Sequence, residues 1–316
     1  MDNPISNILQ LQPVVVVDGG FATELERRGC DLRNSLWSAR VLLESPNIIR
    51  DVHADYFAAG ADCATTASYQ ASFEGFAHRG ITTTQAADLL SLSVQVAVEA
   101  RDAFWSIEAN RTGRQRPFVA ASVGPYGAYL ADGSEYRGDY GLTQAELMNF
   151  HRSRLAVLAA SGADMLACET IPCLLEAMAI LRVLEEFPNM TAWFSFSCRD
   201  GAITSHGEPL TECAALLGKH PQVAAVGANC TDPRIAAGLV RAACVAAEKP
   251  ILIYPNSGET YDPNSKMWSG DAFCKEFAQG AQLWYAAGAR VIGGCCRTTP
   301  EHIRELARGL RTNVQK

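Results

Sequence analysis

The sequence lacks the features that mark several large classes of protein. Its 27 lysine and arginine residues form no basic run and the formal net charge is -7, so the electrostatic signature of a nucleic-acid-binding protein is missing. No apolar run reaches the roughly 18 residues that a bilayer span needs, and the N-terminus shows no signal-peptide pattern. We therefore expect a cytoplasmic protein with no nucleic-acid partner and no membrane partner.

Disulfide bonds are not expected either. The chain has 11 cysteines, an odd number, and without an export signal it would remain where thiols are kept reduced. Free cysteine packs mostly as a small buried apolar side chain, so most of these thiols should lie in the core. Any thiol with another role needs its own argument.

Eight short apolar runs recur along the chain, and segments with helical periodicity separate them. Helix signals include Ser45 as an N-cap before Pro46, and Thr143 with Glu146 as a capping box. Near-continuous apolar strands that alternate with helices predict a parallel sheet covered on both faces. The runs are PVVVVDGG, ADCATTAS, PFVAASVG, ADMLACET, TAWFSFSC, QVAAVGANC, PILIYPNS and ARVIGGCC.

Eight such units in 316 residues predict an α/β fold, a (β/α)8 TIM barrel in which residues 1–316 form a single domain. A doubly wound sheet is less favoured because its glycine-rich first turn, GxGxxG, does not follow the first run. In such barrels the chemistry lies at the C-terminal ends of the strands. Those ends carry Asp18, Thr65, Thr66, Gly124, Glu169, Ser197, Asn229, Cys230, Asn256, Cys295 and Cys296.

Three cysteines therefore meet at one rim, and three thiolates can occupy three corners of a tetrahedral zinc site with the fourth corner open. Adjacent strand residues point to opposite faces, so Cys295 and Cys296 can share one ion only where the backbone turns, and Gly293 and Gly294 are expected to permit that turn. Two alternatives stay open: core packing, and a redox-active dithiol, although redox pairs usually have the spacing C-x-x-C.

An all-sulfur site favours a thiol substrate over a hydrolytic water. None of the six histidines falls at a strand end, whereas zinc hydrolases normally use histidine or carboxylate ligands. A free thiol is only roughly 3% ionised at pH 7, so ionisation on a metal is worth ~2 kcal/mol. Asp18 and Glu169 are candidates to bind the ammonium group of an amino acid that carries the thiol, and Thr65 and Thr66 are candidates to form hydrogen bonds with this substrate. Their alternative roles are turn capping and barrel packing.

Eight segments of the sequence together resemble the homocysteine S-methyltransferase family over about residues 13–310. The resemblance implies that zinc held by Cys230, Cys295 and Cys296 activates homocysteine, which is methylated to methionine inside a (β/α)8 barrel. It also implies that Asp18 and Glu169 bind homocysteine. The segments are DGGFATELERRG, LWSA, TTASYQAS, SVGPYGAYLADGSEYRGDY, CETIP, GANC, YPNSGETYD and GGCCRTTP.

Branches of this family differ in the methyl donor, which is S-methylmethionine or S-adenosylmethionine, glycine betaine, or methylfolate through cobalamin. Cobalamin enzymes carry further domains, and the betaine branch continues well beyond the adjacent cysteines, whereas residues 297–316 follow them here. The runs SVGPYGAYLADGSEYRGDY and YPNSGETYD look most like the S-methylmethionine branch, so we expect that donor. The alternatives are another donor or thiol, and a non-catalytic barrel that stores zinc or senses thiols.

Aromatic side chains are the candidates for donor binding, because sulfonium and betaine donors are cations and a desolvated cation gains roughly 2 kcal/mol beside an aromatic face. Trp37 in LWSA and Tyr69 in SYQAS match positions where the betaine branch lines its donor pocket. The segment after the third run has the length of a binding loop and holds four further tyrosines, for which ordinary packing is favoured, so only Trp37 and Tyr69 are donor candidates. The four tyrosines are Tyr126, Tyr129, Tyr136 and Tyr140.

Overall fold

The computed structural model describes residues 3–32, 37–262, 267–269 and 277–312. Each of the eight apolar runs contains one strand of a parallel barrel. Seven of these strands come first in the chain, a short antiparallel hairpin of β8 and β9 follows, and the last barrel strand is β10. The strands are β1 Val15–Val16, β2 Cys63–Thr65, β3 Phe118–Val123, β4 Met165–Ile171, β5 Ala192–Phe196, β6 Val223–Asn229, β7 Ile251–Tyr254, β8 Thr260–Asp262, β9 Met267–Ser269 and β10 Ala289–Ile292.

The barrel strands follow one another in the order β1-β10-β7-β6-β5-β4-β3-β2, and every neighbouring pair is parallel. Closure between β1 and β2 depends on a parallel bridge from Val17 to Cys63. Two backbone hydrogen bonds extend this seam, from Asp18 N to Cys63 O at 3.1 Å and from Asp62 N to Val16 O at 2.7 Å. The (β/α)8 prediction is confirmed, and all eight strands present their C-terminal ends at one rim.

Helices connect the strands and cover the outside of the barrel. The predicted capping box at Thr143 is present, whereas Ser45 precedes Pro46 without a side-chain hydrogen bond. No helix within the described ranges combines the length and the apolar character that a membrane crossing requires. The helices are α1 Pro4–Leu9, α2 Phe21–Arg27, α3 Trp37–Glu44, α4 Pro46–Ala59, α5 Phe73–Ala77, α6 Thr83–Ser106, α7 Tyr126–Leu130, α8 Gln144–Ala160, α9 Leu174–Leu184, α10 Leu210–Gly218, α11 Pro233–Cys244, α12 Phe277–Ala287 and α13 Pro300–Thr312, with short 3-10 helices η1 Glu108–Arg111 and η2 Ser134–Tyr136.

The core has two layers because successive strand residues point to opposite faces of the sheet. Val14 and Val16 belong to the layer between sheet and helices, whereas Val15 and Val17 belong to the layer inside the barrel. Ile5 and Ile8 of α1 join the inner layer. Since α1 leads into the start of β1, it fills the barrel from the N-terminal side and leaves the opposite rim free for a site.

Candidate active site

A cavity of about 250 Å³ opens at the C-terminal ends of the strands. It brings together most of the residues that the sequence placed at this rim, but Gly124, Ser197, Asn229 and Asn256 are not in its lining. No lysine or arginine is found among the described residues that line it. The predicted residues in the lining are Asp18, Thr65, Thr66, Tyr69, Glu169, Cys230, Cys295 and Cys296.

The three predicted cysteines form one cluster. Their Sγ atoms all lie within 4.8 Å of one another, and the Sγ atoms of Cys230 and Cys296 are 3.7 Å apart. Sulfurs bound to one tetrahedral zinc ion at about 2.3 Å would be separated by about 3.8 Å. The donor set and the spacing therefore fit a thiophilic metal ion with three protein ligands. All ten cysteines within the described ranges are free thiols.

The turn after β10 brings the two adjacent cysteines to the same side. Cys295 N donates to Pro255 O at 2.8 Å and Cys296 N donates to the Asn256 side chain at 3.1 Å, so both are fastened to the extension of β7. The left-handed residue of this turn is Arg297, with φ 68°, and not either glycine. Asn256 thus supports the site from outside the cavity.

The expected role of Gly293 and Gly294 needs correction. Neither has a positive φ, so the turn does not use the conformational freedom of glycine. Both are needed for close approach: a Cβ atom at residue 293 would lie 2.7 Å from the Cβ of Val17, and one at residue 294 would collide with the Thr298 side chain.

Cys230 and Thr170 both adopt left-handed backbone conformations, with φ values of 50° and 58°. The left-handed region is costly for a β-branched residue such as Thr170. Residues in strained backbone conformations concentrate at functional sites. Asn229 stabilises the turn at Thr170, because its Oδ1 accepts from Thr170 N at 2.7 Å and its Nδ2 donates to Thr170 Oγ1 at 2.9 Å. The ends of β4 and β6 are thereby joined directly behind the thiol cluster.

The three thiols do not ionise independently. Hydrogen bonds with Cys295 and Cys296 lower the pKa of Cys230, and the same contacts with Cys230 raise the pKa of each partner. Like charges at such short separation disfavour a second ionisation. A divalent cation would remove this repulsion, so the cluster suits a metal better than it suits three free thiolates.

Two buried carboxylates face the same cavity from β1 and β4. Asp18 accepts hydrogen bonds from Thr65 N at 2.8 Å and Thr65 Oγ1 at 2.9 Å. Glu169 accepts from Ser122 Oγ and from Tyr254 OH, the latter at 3.1 Å. Burial raises the pKa of Asp18 and raises that of Glu169 to about 7. Neither forms a salt bridge with any residue that the structure describes, so a ligand cation would relieve the burial cost of both.

The proton positions around Glu169 follow from its neighbours. Trp193 Nε1 can only donate, and it donates to Tyr254 OH at 3.1 Å. Ser195 Oγ lies 2.6 Å from the same oxygen. The Tyr254 proton is therefore free to point at Glu169. The sequence analysis missed Ser122 and Tyr254, although both are inward-facing polar residues near the ends of barrel strands, a pattern that could have identified them.

Thr66 lines the cavity, but its hydroxyl is engaged by the protein. Ser68 Oγ donates to Ser122 O at 2.7 Å, so the Thr66 proton points to Ser68 Oγ, also at 2.7 Å. Thr66 Oγ1 in turn accepts from Ser122 N at 3.0 Å. The described contacts show Thr66 as a support of the wall that carries Ser122, and its predicted contact with substrate stays a prediction.

Tyr69, a predicted donor-binding residue, lines the cavity, and its backbone oxygen accepts a 3.2 Å hydrogen bond from Gly124 N. Trp37 is the first residue of α3, and its side chain lies outside the described part of the chain. Two further lining residues, Glu135 and Tyr136, come from η2. Tyr136 OH lies 3.2 Å from Cys230 Sγ. Sequence reasoning had noted Tyr136 only as part of a long loop and had missed Glu135.

Comparison with known proteins gives one consistent result. The model of the family described as homocysteine S-methyltransferase matches residues 15–310. The chain is 56% identical over 310 residues to homocysteine S-methyltransferase YbgG of Bacillus subtilis, covering 98% of each chain. It is 47% identical to selenocysteine Se-methyltransferase of Brassica oleracea var. italica, covering 93% of this chain and 88% of that protein. The metallated form of the homocysteine methyltransferase MmuM from Escherichia coli superposes with a TM-score of 0.87 at 45% identity, covering 97% of this chain and 99% of that one.

Proposed function

The chain belongs to the homocysteine S-methyltransferase family and is a methyltransferase, and from this premise we propose that it uses zinc to methylate homocysteine with S-methylmethionine as donor. The observation that carries the proposal is the cluster of three thiols whose Sγ atoms lie within 4.8 Å, in a cavity that also holds two buried carboxylates. This combination provides for both ends of homocysteine, its thiol and its ammonium group.

Cys230, Cys295 and Cys296 would hold the zinc ion, which supplies Lewis acidity that keeps a coordinated thiol ionised at neutral pH. Support comes from the sulfur spacing and from the metallated form of the structurally similar MmuM. The supporting contacts keep the ligands in place before metal binding. Asn256 fixes the Cys296 backbone at 3.1 Å, and Tyr136 lies 3.2 Å from Cys230 Sγ.

Asp18 and Glu169 would bind the ammonium group of homocysteine. Their protein hydrogen bonds fix the direction of each carboxylate, and the raised pKa values record the cost of burying negative charge without a counter-ion. A ligand ammonium that enters between them supplies this counter-ion. Because the ammonium group fixes one end of the molecule, the thiol at the other end is directed to the cysteine cluster.

Methyl transfer then forms one sulfur–carbon bond and breaks another. The homocysteine thiolate attacks the methyl carbon of the sulfonium, and the electron pair of the broken bond stays on the donor sulfur, giving two molecules of methionine. The protein needs no general base for this step, because the nucleophile is already ionised. Tyr69 would place an aromatic ring beside the cationic donor. The donor assignment rests on the SVGPYGAYLADGSEYRGDY and YPNSGETYD segments, and S-adenosylmethionine is the alternative sulfonium donor.

The test is methionine formation from homocysteine and S-methylmethionine, measured with zinc content in wild type and in Cys230→Ser. We expect about one zinc per chain, chelator-sensitive activity, and loss of both in the variant. Cys244→Ser is the matched control, because Cys244 is an exposed free thiol away from the cavity. Full methyl transfer by Cys230→Ser would exclude the mechanism. Bound zinc that homocysteine neither contacts nor alters would instead favour a zinc-storing or thiol-sensing protein.

A further inference from the structure

The 3-10 helix η2 places in the cavity a carboxylate that the mechanism above does not use. Glu135 lines the cavity beside Tyr69 and Tyr136. Its Oε2 atom is buried and has no hydrogen-bond partner among the described residues. A buried carboxylate oxygen without a partner is costly, so its retention at this place needs an explanation.

The other two carboxylates of the cavity differ from Glu135 in this respect. Asp18 is satisfied by Thr65, and Glu169 by Ser122 and Tyr254. Glu135 therefore keeps its hydrogen-bonding capacity for a ligand.

Within the described ranges Glu135 has no salt-bridge partner, and the effect of Arg137 on its pKa is weaker than that of burial. The described lining of the cavity contains no lysine or arginine. The guanidinium group next in the chain, that of Arg137, is used elsewhere: it donates to Ser134 Oγ at 3.0 Å and lies 3.5 Å from an Asp139 oxygen. An unneutralised carboxylate in a cavity selects a positively charged ligand group.

The backbone holds Glu135 firmly at this wall. Ser197 Oγ donates to Glu135 O at 3.0 Å, which ties η2 to the end of β5. Gly127 of α7 packs so closely that a Cβ atom there would overlap the Glu135 backbone nitrogen. The next residue, Tyr136, reaches Cys230 Sγ at 3.2 Å, so Glu135 and the thiol cluster share one side of the cavity.

We infer that Glu135 binds the α-ammonium group of the methyl donor, and thereby selects donors that are sulfonium α-amino acids. The inference deepens the proposed function and rests on it. The donor carries two cationic groups, the sulfonium and the α-ammonium. The α-ammonium group is the better partner for Glu135, because it keeps its charge throughout methyl transfer. A carboxylate on the sulfonium would lose its attraction in the transition state, whereas one on the ammonium stabilises ground state and transition state equally.

Of the kinetic parameters, only KM for S-methylmethionine should depend on Glu135. Glu135→Gln preserves size and removes the charge. We expect KM for S-methylmethionine to rise roughly 10-fold to 100-fold, the equivalent of a charged hydrogen bond, with kcat and KM for homocysteine unchanged. Glu108→Gln is the matched control, because Glu108 is an exposed glutamate of η1 outside the cavity lining, and it should leave all three parameters unchanged.

A pair of ligands makes the test specific for the ammonium group. S-methylmethionine and dimethylsulfoniopropionate both carry a sulfonium and a carboxylate, but the second has no amino group. Wild type should bind S-methylmethionine at least tenfold more tightly in calorimetry, and Glu135→Gln should lose that preference. An equal loss of affinity for both ligands, an increase in kcat, or an unchanged KM would overturn the inference.

The same calorimetry separates this inference from the donor assignment. The wild type could bind S-methylmethionine with a preference that depends on Glu135 and yet form no methionine from it. That result would support the ammonium site and exclude S-methylmethionine as the methyl donor. If the wild type forms methionine from S-methylmethionine but Glu135→Gln still prefers S-methylmethionine to dimethylsulfoniopropionate, the donor assignment stands and the role of Glu135 is overturned.

Discussion

Tyr136 connects the segment after β3 to the thiol cluster through a single hydrogen bond. Its hydroxyl lies 3.2 Å from Cys230 Sγ, and burial raises the pKa of this tyrosine, so the phenol stays protonated and donates. Hydrogen bonds to metal ligands commonly affect metal affinity by 10-fold to 100-fold. Tyr136 is therefore a positioning residue for Cys230.

We expect Tyr136→Phe to weaken zinc binding by about tenfold or more, because the hydrogen bond that orients Cys230 is lost. Competition with a chelator of known affinity measures this without any assay of activity. Tyr129→Phe is the control, since it removes a hydroxyl from α7 whose partner is the exposed His78, at 3.1 Å. Equal zinc affinity in the two variants would show that the Cys230 contact has no role in metal binding.

Glu169 should make the stability of the substrate-free protein depend on pH. Burial raises its pKa in the folded state to about 7 from an ordinary value of 4.5. Between these values the folded state binds more protons than the unfolded state, so the free energy of unfolding falls as pH rises from 4.5 to 7. Above pH 7 the full cost of burying the ionised Glu169 lowers the free energy of unfolding, and below pH 4.5 this cost is absent.

Glu169→Gln should remove this pH dependence from the free energy of unfolding, a change of up to about 3 kcal/mol between pH 4.5 and 8. Urea unfolding at several pH values measures it, with Glu44→Gln as a control that removes an exposed carboxylate. The same variant should bind homocysteine at least tenfold more weakly, because the ammonium group loses a charged partner. A pH profile that runs parallel to that of wild type would contradict the assignment of this penalty to Glu169.

Among the elements, α7 begins at a point fixed by buried polar contacts. Arg154 of α8 donates to Gly124 O and lies 2.6 Å from Nδ1 of His151. Arginine can only donate, so Nδ1 accepts and the other ring nitrogen, Nε2, donates to Glu176 at 2.9 Å. Glu176 also accepts from Tyr126 N at 2.6 Å, at the first residue of α7. Helices α8 and α9 thus fix where α7 begins.

The close contact between α7 and η2 predicts the effect of Gly127→Ala. The added Cβ would overlap the backbone of Glu135, so α7 and η2 must separate and Glu135 must shift. We expect KM for S-methylmethionine to rise by about tenfold or more, with a destabilisation of about 1–3 kcal/mol from overpacking. Gly201→Ala is the matched control, because its nearest neighbour would be 3.8 Å away. An unchanged KM in Gly127→Ala would mean that the donor does not contact η2.

Helices and strands were predictable from sequence where local signals determine them. They were not predictable where contacts between residues distant in the chain determine them. The capping box at Thr143 and the eight apolar runs depend on neighbours in the chain, and each corresponds to an observed helix start or strand. The role of Glu135 depends instead on Gly127 and Ser197, which approach it only in the folded chain. The hairpin of β8 and β9 also lies in a segment whose sequence carried no strand pattern.

At the scale of the whole molecule, the candidate site lies at the C-terminal rim of the barrel, whereas α1 packs at its N-terminal side. The sequence located the site because parallel strands must end at one rim, so Asp18, Glu169 and the three cysteines could be grouped without knowledge of any contact. The left-handed conformation of Thr170 could not be predicted, because it depends on Asn229 reaching across from β6 to β4. The sequence therefore grouped the candidate site residues but did not predict the backbone conformations that orient them.

The opposite end of the barrel should affect stability alone. Ile5 of α1 is fully buried within the inner layer, on the N-terminal side of the strands. Ile5→Ala should lower the free energy of unfolding by about 2–5 kcal/mol, since it leaves a cavity under the barrel, while KM and kcat stay at wild-type values below the unfolding transition. Ile107→Ala is the control, as that side chain is 56% exposed and its loss should change stability by less than about 1 kcal/mol. Unfolding by denaturant and steady-state kinetics at 25 °C together measure both quantities. A changed KM for homocysteine in Ile5→Ala would mean that strain at the N-terminal side reaches the thiol site, and that the inner layer transmits it along the strands.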